Sequence, residues 1–169
     1  MIQIVRVQTI LSKDLTGEAI FNEISQTLKN KNVSAVKTAR VYRLEGIGIV
    51  DAEILAKKLL SEPINQNYTL NQPILKGANQ VLEIGYKPGV MNPEVTSIIK
   101  AAQDLKIKLK AADASWEYGF FGKLSKTEAE SIVKKLRLFN PLIEHIVTTP
   151  PKTLLISGGS GFLGSYILQ

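Results

Sequence analysis

The sequence states the same pattern twice, and that constrains the fold more than any other feature of it. DAEILAKKLLSEPINQNYTL (51–70) aligns with EAESIVKKLRLFNPLIEHIV (128–147), each carrying Ala-Glu, then Lys-Lys-Leu, then a proline, Pro63 or Pro141. Upstream, RVYRLEG (40–46) aligns with WEYGFFG (116–122), so that Tyr42 meets Tyr118 and Gly46 meets Gly122. Further upstream, VQTILSKDL is a weaker partner of LEIGYKPGV. A chain built this way is expected to repeat one supersecondary unit. The reading is repeat 1 over 1–75, repeat 2 over 80–148, and a linker with a Gly-rich tail over 149–169.

Each unit shows the same succession of periods. Val5, Val7, Ile10 and Leu11 open a β-rich run, and Ile20, Phe21, Ile24 and Leu28 then recur at helical spacing. AVKTARVYRL follows, β-branched and aromatic with no breaker. Ala52, Leu55, Ala56, Leu59 and Leu60 form one apolar helix stripe, stopped by Pro63, and NYTL closes the unit as a short strand. In the second unit Asn92 is placed to cap a helix that Pro93 begins, with Val95, Ile98, Ile99 and Ala102 on its buried side. Ser125-Lys126-Thr127-Glu128 is a capping box, Ala129, Ile132, Val133 and Leu136 share the next stripe, and Asn140-Pro141 ends it. The expectation is an α+β protein of duplicated β-α-β-β-α-β units, with antiparallel sheets and helices packed on one side. The two units are expected to bury helix stripes or sheet faces against each other.

Composition narrows the chemistry. Of 169 residues, 44% are apolar, enough for a core of ordinary size. Cysteine is absent, which removes disulfides, thiolate nucleophiles and thiolate metal sites, and with a single histidine a structural zinc site is not expected. The formal charge is +6. Lys57, Lys58, Lys134 and Lys135 fall on the solvent sides of helices without interleaved aromatics, so the charge reads as a solvated surface and nucleic acid is not an expected partner. No apolar run approaches the roughly 20 residues of a membrane span, and Gln3, Arg6 and Gln8 interrupt the opening run as a signal peptide would not. The expected setting is cytoplasmic.

Several places invite a functional reading, each beside a plainer one. Lys87-Pro88-Gly89-Val90 precedes a helix whose free N–H groups suit an anion; the plainer reading, a tight turn, is preferred. His145 alternates with Ile143 and Val147 on a strand, with no suggested nucleophile, so a strand histidine holding a local hydrogen bond is the preferred reading. Glu45 and Glu117 fall at nearly matching strand ends, as a carboxylate pair would require. Tyr42, Trp116 and Tyr118, with Phe120 and Phe121, alternate on strands where core or interface is the default; the first three are the interface candidates. No residue is read as catalytic or metal-binding.

VYRLEG, the helix AEILAKKLLSEP and KPGVMNPEVTSIIKAAQDL resemble the PurS-like module of phosphoribosylformylglycinamidine synthase. That module occurs as a small subunit, and a related duplicated form begins the large synthase chains. The resemblance spans residues 1 to about 148. KPGVMNP is similar to a family loop that usually reads Arg-Pro-Gly-Val-x-Asp-Pro, with Lys87 and Asn92 in place of arginine and aspartate. The resemblance implies amide transfer in purine synthesis, where glutamine supplies ammonia and ATP activates formylglycinamide ribonucleotide. It implies that this module does no chemistry but holds a glutaminase and a synthetase together. ATP and Mg would then belong to the partner, this chain would carry no cofactor, and self-association is a further option.

The tail, TLLISGGSGFLGSYILQ, resembles the start of extended short-chain dehydrogenases and nucleotide-sugar epimerases. Gly158, Gly161 and Gly164 have the spacing that lets a backbone approach a pyrophosphate, but the acidic residue expected about 20 positions on lies past Gln169. The chain alone is therefore expected to bind no NAD. A truncated fusion, a reading-frame error and an unrelated Gly-rich linker are each consistent with it. The alternative function is an accessory domain joined to the beginning of an epimerase or oxidoreductase. A third reading is an α+β interaction module without a purine link.

Overall fold

A computed structural model describes residues 1–10 and 13–148; Leu11 and the whole Gly-rich tail, with Gly158, Gly161 and Gly164, lie outside the described residues. Within them the chain is α+β. The strands are β1 (Ile2–Thr9), β2 (Val33–Glu45), β3 (Gln66–Leu70), β4 (Gln80–Tyr86), β5 (Ala111–Gly122) and β6 (Glu144–Ile146). The helices are α1 (Leu15–Glu23), α2 (Ile49–Leu55), α3 (Pro93–Asp104) and α4 (Lys126–Lys135). The first two helices each run on into a π-helical turn, Ile24–Leu28 and Ala56–Leu60. The strands form one antiparallel sheet in the order β3-β1-β2-β5-β4-β6.

Two details differ from the sequence reading. Each half is β-α-β-α-β, not β-α-β-β-α-β, because the middle run is one continuous strand. With no Gly or Pro inside it, β2 extends over 13 residues and pairs with β1 on one side and β5 on the other. The halves also do not stack face on face. They join edge to edge through the β2–β5 ladder, whose register includes Thr38↔Tyr118, Arg40↔Trp116 and Tyr42↔Ala114. Since Tyr42 and Tyr118 are the matching residues of the two halves, a pseudo-twofold axis passes through the pair midway between them, Arg40 and Trp116.

The helices pack on one face of this sheet, and they do so crosswise. One apolar cluster joins Val5, Val7 and Leu44 of the first half to Ala52 and Leu55 of α2, then to Ile98 and Ala102 of α3 from the second half. The other joins Ile20 and Ile24 to Leu82, Ile84 and Phe120, and to Ala129, Ile132 and Val133 of α4. Each core therefore takes one helix from each half. Neither half owns a core, and burying these side chains, about 1.5–3 kcal/mol for each Val, Leu, Ile or Phe, ties the halves into one unit. On the opposite face, Ile74 and Leu75 in the β3–β4 connection pack over Ala39.

Caps confirm how the local sequence sets the helices. Ser125 and Glu128 form the reciprocal capping box at α4, and Asn92 caps α3 with Pro93 in its first turn. Lys87-Pro88-Gly89-Val90 is a tight turn, closed by the Val90 N–H donating to Lys87 O at 3.0 Å, with Gly89 at φ +85°. That is the type II geometry, which favours glycine at its third position.

Candidate functional site

The pseudo-twofold axis meets the helix-bearing face at a cluster of aromatic and charged side chains. The Arg40 guanidinium lies 4.9 Å from the Trp116 ring centroid and 5.8 Å from that of Tyr42, an attraction between cation and ring faces. Arg40 also pairs with Glu94 at the start of α3. Burial raises the Tyr42 hydroxyl above its ordinary pKa, with Arg40 opposing that shift and Glu94 adding to it. Trp116 remains 39% exposed, in a groove of ≈ 250 Å³ lined also by Lys13, Leu15, Thr38 and Gln66. A second groove, of ≈ 420 Å³, runs past Tyr42 between the end of α2 and the start of α3, lined by Leu59, Leu60, Pro93, Ser97 and Ile98. The interface candidates are thus divided. Tyr42 and Trp116 are brought together around Arg40, whereas Tyr118 is 9% exposed within the apolar layer under α1 and α4.

The first helix of each half is fixed by a cap that also reaches across to the central strand. The Asp14 carboxylate accepts from the Gly17 N–H at 2.9 Å, the Thr38 N–H at 2.6 Å and the Thr38 hydroxyl at 2.9 Å. Asn92 accepts from the Glu94 N–H and donates Nδ2 to Asp113 Oδ1 at 3.1 Å and Ala114 O at 2.9 Å. These bonds bridge two divergences in the sheet. The β1–β2 register runs to Val7↔Arg40 while β1 continues to Thr9 beside β3, and the β4–β5 register runs to Ile84↔Trp116 while β4 continues to Tyr86 beside β6.

The β4–β5 divergence opens a cleft of ≈ 600 Å³. At its edge Arg43 forms a two-point pair with Glu83, Nη2 to Oε2 at 2.7 Å and Nη1 to Oε1, while Ser115 Oγ also donates to Glu83. Burial alone would raise the Glu83 carboxyl, but the hydrogen bonds from Arg43 and Ser115 and the Arg43 charge outweigh it and hold the group below its usual pKa. The hydrogen bond to Glu83, against the opposing effect of burial, raises the Arg43 guanidinium, and the charges of Glu83, Asp113 and Glu117 add to it. Glu83 and Arg43 are therefore both charged near neutral pH.

The remaining sequence candidates fall as follows. Glu117 is buried against Arg6, Nε to Oε1 at 2.8 Å, and pairs in register with Ala39, whereas Glu45 is beside Lys110 and pairs with Ala111. At about 3.3 Å per residue the two carboxylates stand roughly 20 Å apart along the ladder, so they form no carboxylate pair. The start of α3 is not a vacant anion cradle, because Asn92 occupies the Glu94 N–H through its side chain and the Val95 N–H through its carbonyl. His145 is opposite Gly85 on the cleft wall, and the local hydrogen bond expected of it is not made by its Nδ1, which is buried with no partner among the described residues. No group of three His, Asp or Glu residues converges among the described residues as a metal site would require.

Sequence reasoning missed Arg40, Arg43, Glu83, Asp113 and Ser115. Alternation alone put them on strands; only the register reveals that they are neighbours. The signal available was the pair of arginines that bracket RVYR (40–43), placed where Val36, Val41 and Leu44 of the same strand are core residues. Set against protein-family models and against curated proteins, the chain has no match.

Proposed function

We propose that the chain is a PurS-like scaffold module of phosphoribosylformylglycinamidine synthase, acting in the cytoplasm with the glutaminase and synthetase of that enzyme. One observation supports the reading: the segments of the resemblance fall on whole elements of the fold, VYRLEG at the end of β2, AEILAKKLLSEP on α2 and its π-helical turn, and KPGVMNP as the turn and cap ahead of α3, while WEYGFFG, the repeat partner of RVYRLEG, lies on β5 across the pseudo-twofold axis. In this role the module performs no step of the reaction. Glutamine hydrolysis, and the ATP and Mg that drive amidine formation, belong to the partners, and the module supplies a rigid two-sided platform between them. No helix among the described residues is long and apolar enough to cross a membrane. The epimerase or oxidoreductase reading depends on the tail, outside the described residues.

The contact assigned to the platform is the Trp116–Arg40–Tyr42 cluster. A half-exposed Trp flanked by Arg and Tyr has the composition of an interface hot spot. The experiment is co-purification with the glutaminase and synthetase. Trp116→Ala should weaken assembly by about 2 kcal/mol or more, as hot-spot truncations do, with the isolated variant still folded by thermal melt. Absence of any complex with either enzyme, or glutamine-dependent amidine formation by this chain alone, refutes the scaffold reading.

A further inference from the structure

The two strand divergences are related by the pseudo-twofold axis, yet they leave different chemistry exposed. In the first half, the Asp14 carboxylate is used up: Oδ1 takes the Gly17 N–H and the Thr38 hydroxyl, and Oδ2 takes the Thr38 N–H and the same hydroxyl. In the second half an amide, Asn92, replaces that carboxylate, and the acidic group is Asp113 on β5. Asp113 gives only Oδ1 to its neighbours, accepting from Asn92 Nδ2 and from the Ala114 N–H at 2.8 Å. Its Oδ2 takes no hydrogen bond among the described residues. On the same cleft, Lys87 Nζ donates once, to Pro141 O at 2.6 Å, leaving two of its three N–H groups. Arg43 and Glu83 neutralise each other.

Beyond the Arg43–Glu83 pair the cleft of ≈ 600 Å³ carries one more carboxylate, Asp113, which feels the Arg43 charge but has an oxygen outside any hydrogen bond among the described residues, and one more ammonium, Lys87. The same cleft is also lined by Val90, Met91, Val95, Ala112 and Val147. A polar pocket with a few convergent groups and an apolar wall is the usual form of a small-molecule site. A simple anion would meet Asp113 and a simple cation would meet Lys87, so neither suits the whole cleft. A molecule bearing both charges satisfies both groups.

We propose that this cleft binds a small zwitterion of the α-amino-acid class, its ammonium on Asp113 Oδ2, its carboxylate on Lys87, and an aliphatic side chain against Val90 and Val95. The site is separate from the Trp116 cluster and does not rest on the scaffold reading.

The test uses the full chain labelled with 15N, titrated in separate arms with glycine, L-valine, acetate and methylammonium. L-valine should shift the amide signals of Gly85, Gly89 and Ser115 with a Kd at or below about 1 mM, and glycine should act more weakly because it lacks the side chain. Acetate and methylammonium, each with one charge, should leave those signals in place. Asp113→Asn, which keeps an acceptor for Asn92 and Ala114, and Lys87→Met, which keeps the stem, should each weaken L-valine about tenfold without changing signals elsewhere. No response to L-valine up to about 10 mM, or an equal response to acetate or methylammonium, overturns the proposal. So does undiminished binding by both variants.

Discussion

Asp14→Ala removes a single carboxylate that performs two jobs, and its cost can be worked from the bonds lost. The first is the cap on the Gly17 N–H at the start of α1, a loss worth about 1 kcal/mol. The second is the bridge to Thr38, whose N–H and hydroxyl both donate to the carboxylate. Thr38 is 6% exposed, so water has little access to the N–H once the acceptor has gone. An unsatisfied buried donor costs about 1–3 kcal/mol. The two losses share one side chain and are not independent, which places the total at about 2–4 kcal/mol. With a urea m-value near 2 kcal/mol/M, the midpoint of unfolding should fall by about 1–2 M. Asp14→Asn separates the two jobs. Asparagine caps helices as well as aspartate does, but its NH2 would face the donors of Thr38, so roughly half the loss should remain. Equilibrium urea unfolding followed by Trp116 fluorescence and by circular dichroism measures both variants. A loss under about 1 kcal/mol for Asp14→Ala, or an Asp14→Asn variant as stable as the parent, would show that the bridge between α1 and β2 contributes nothing and would refute the reasoning.

Three further predictions follow from the same structure. A Cβ at Gly17 would lie 2.3 Å from the Val36 carbonyl oxygen, so Gly17→Ala should push α1 off β2 and cost about 1–3 kcal/mol in a urea melt, whereas Gly89→Ala, with open space around it, should lose only the backbone preference of its positive φ, about 1 kcal/mol. Glu83 has its folded pKa depressed below the ordinary 4.5, so its contribution is present above that value and disappears as the pH falls through the folded pKa; Glu83→Gln should be less stable than the parent at pH 7, with the difference shrinking below about pH 4. Calorimetric titration of the full chain with NAD and NADP should show no binding, and micromolar affinity, about −8 kcal/mol, would mean that the Gly158-Gly161-Gly164 tail works as a site within this chain.

Much of the local structure was written in the sequence, because its causes are local. The capping box at Ser125, the Asn92-Pro93 start of α3, the turn at Gly89 and the stripes of α2 and α4 all depend on residues within one or two turns of each other. The repeat likewise announced two copies of one unit. How the copies meet was decided by long-range contacts that no short window contains. Alternation in AVKTARVYRL tells which residues share a face, but pairing β2 with β5, instead of stacking one sheet on another, depends on the whole ladder from Val33 to Glu45. That pairing sends α3 to the α2 core and α4 to the α1 core, makes Tyr118 a core residue while Trp116 stays accessible, and separates Glu45 from Glu117. The candidate sites depend on it even more. Arg40 reaches Trp116, and Arg43 reaches Glu83, across strands distant in the chain, and the Asp113 cleft exists only because β4 leaves β5 after Ile84. Side-chain periodicity is set by the backbone of one strand, whereas register and divergence are set by what two strands bury together, and only the folded sheet decides that.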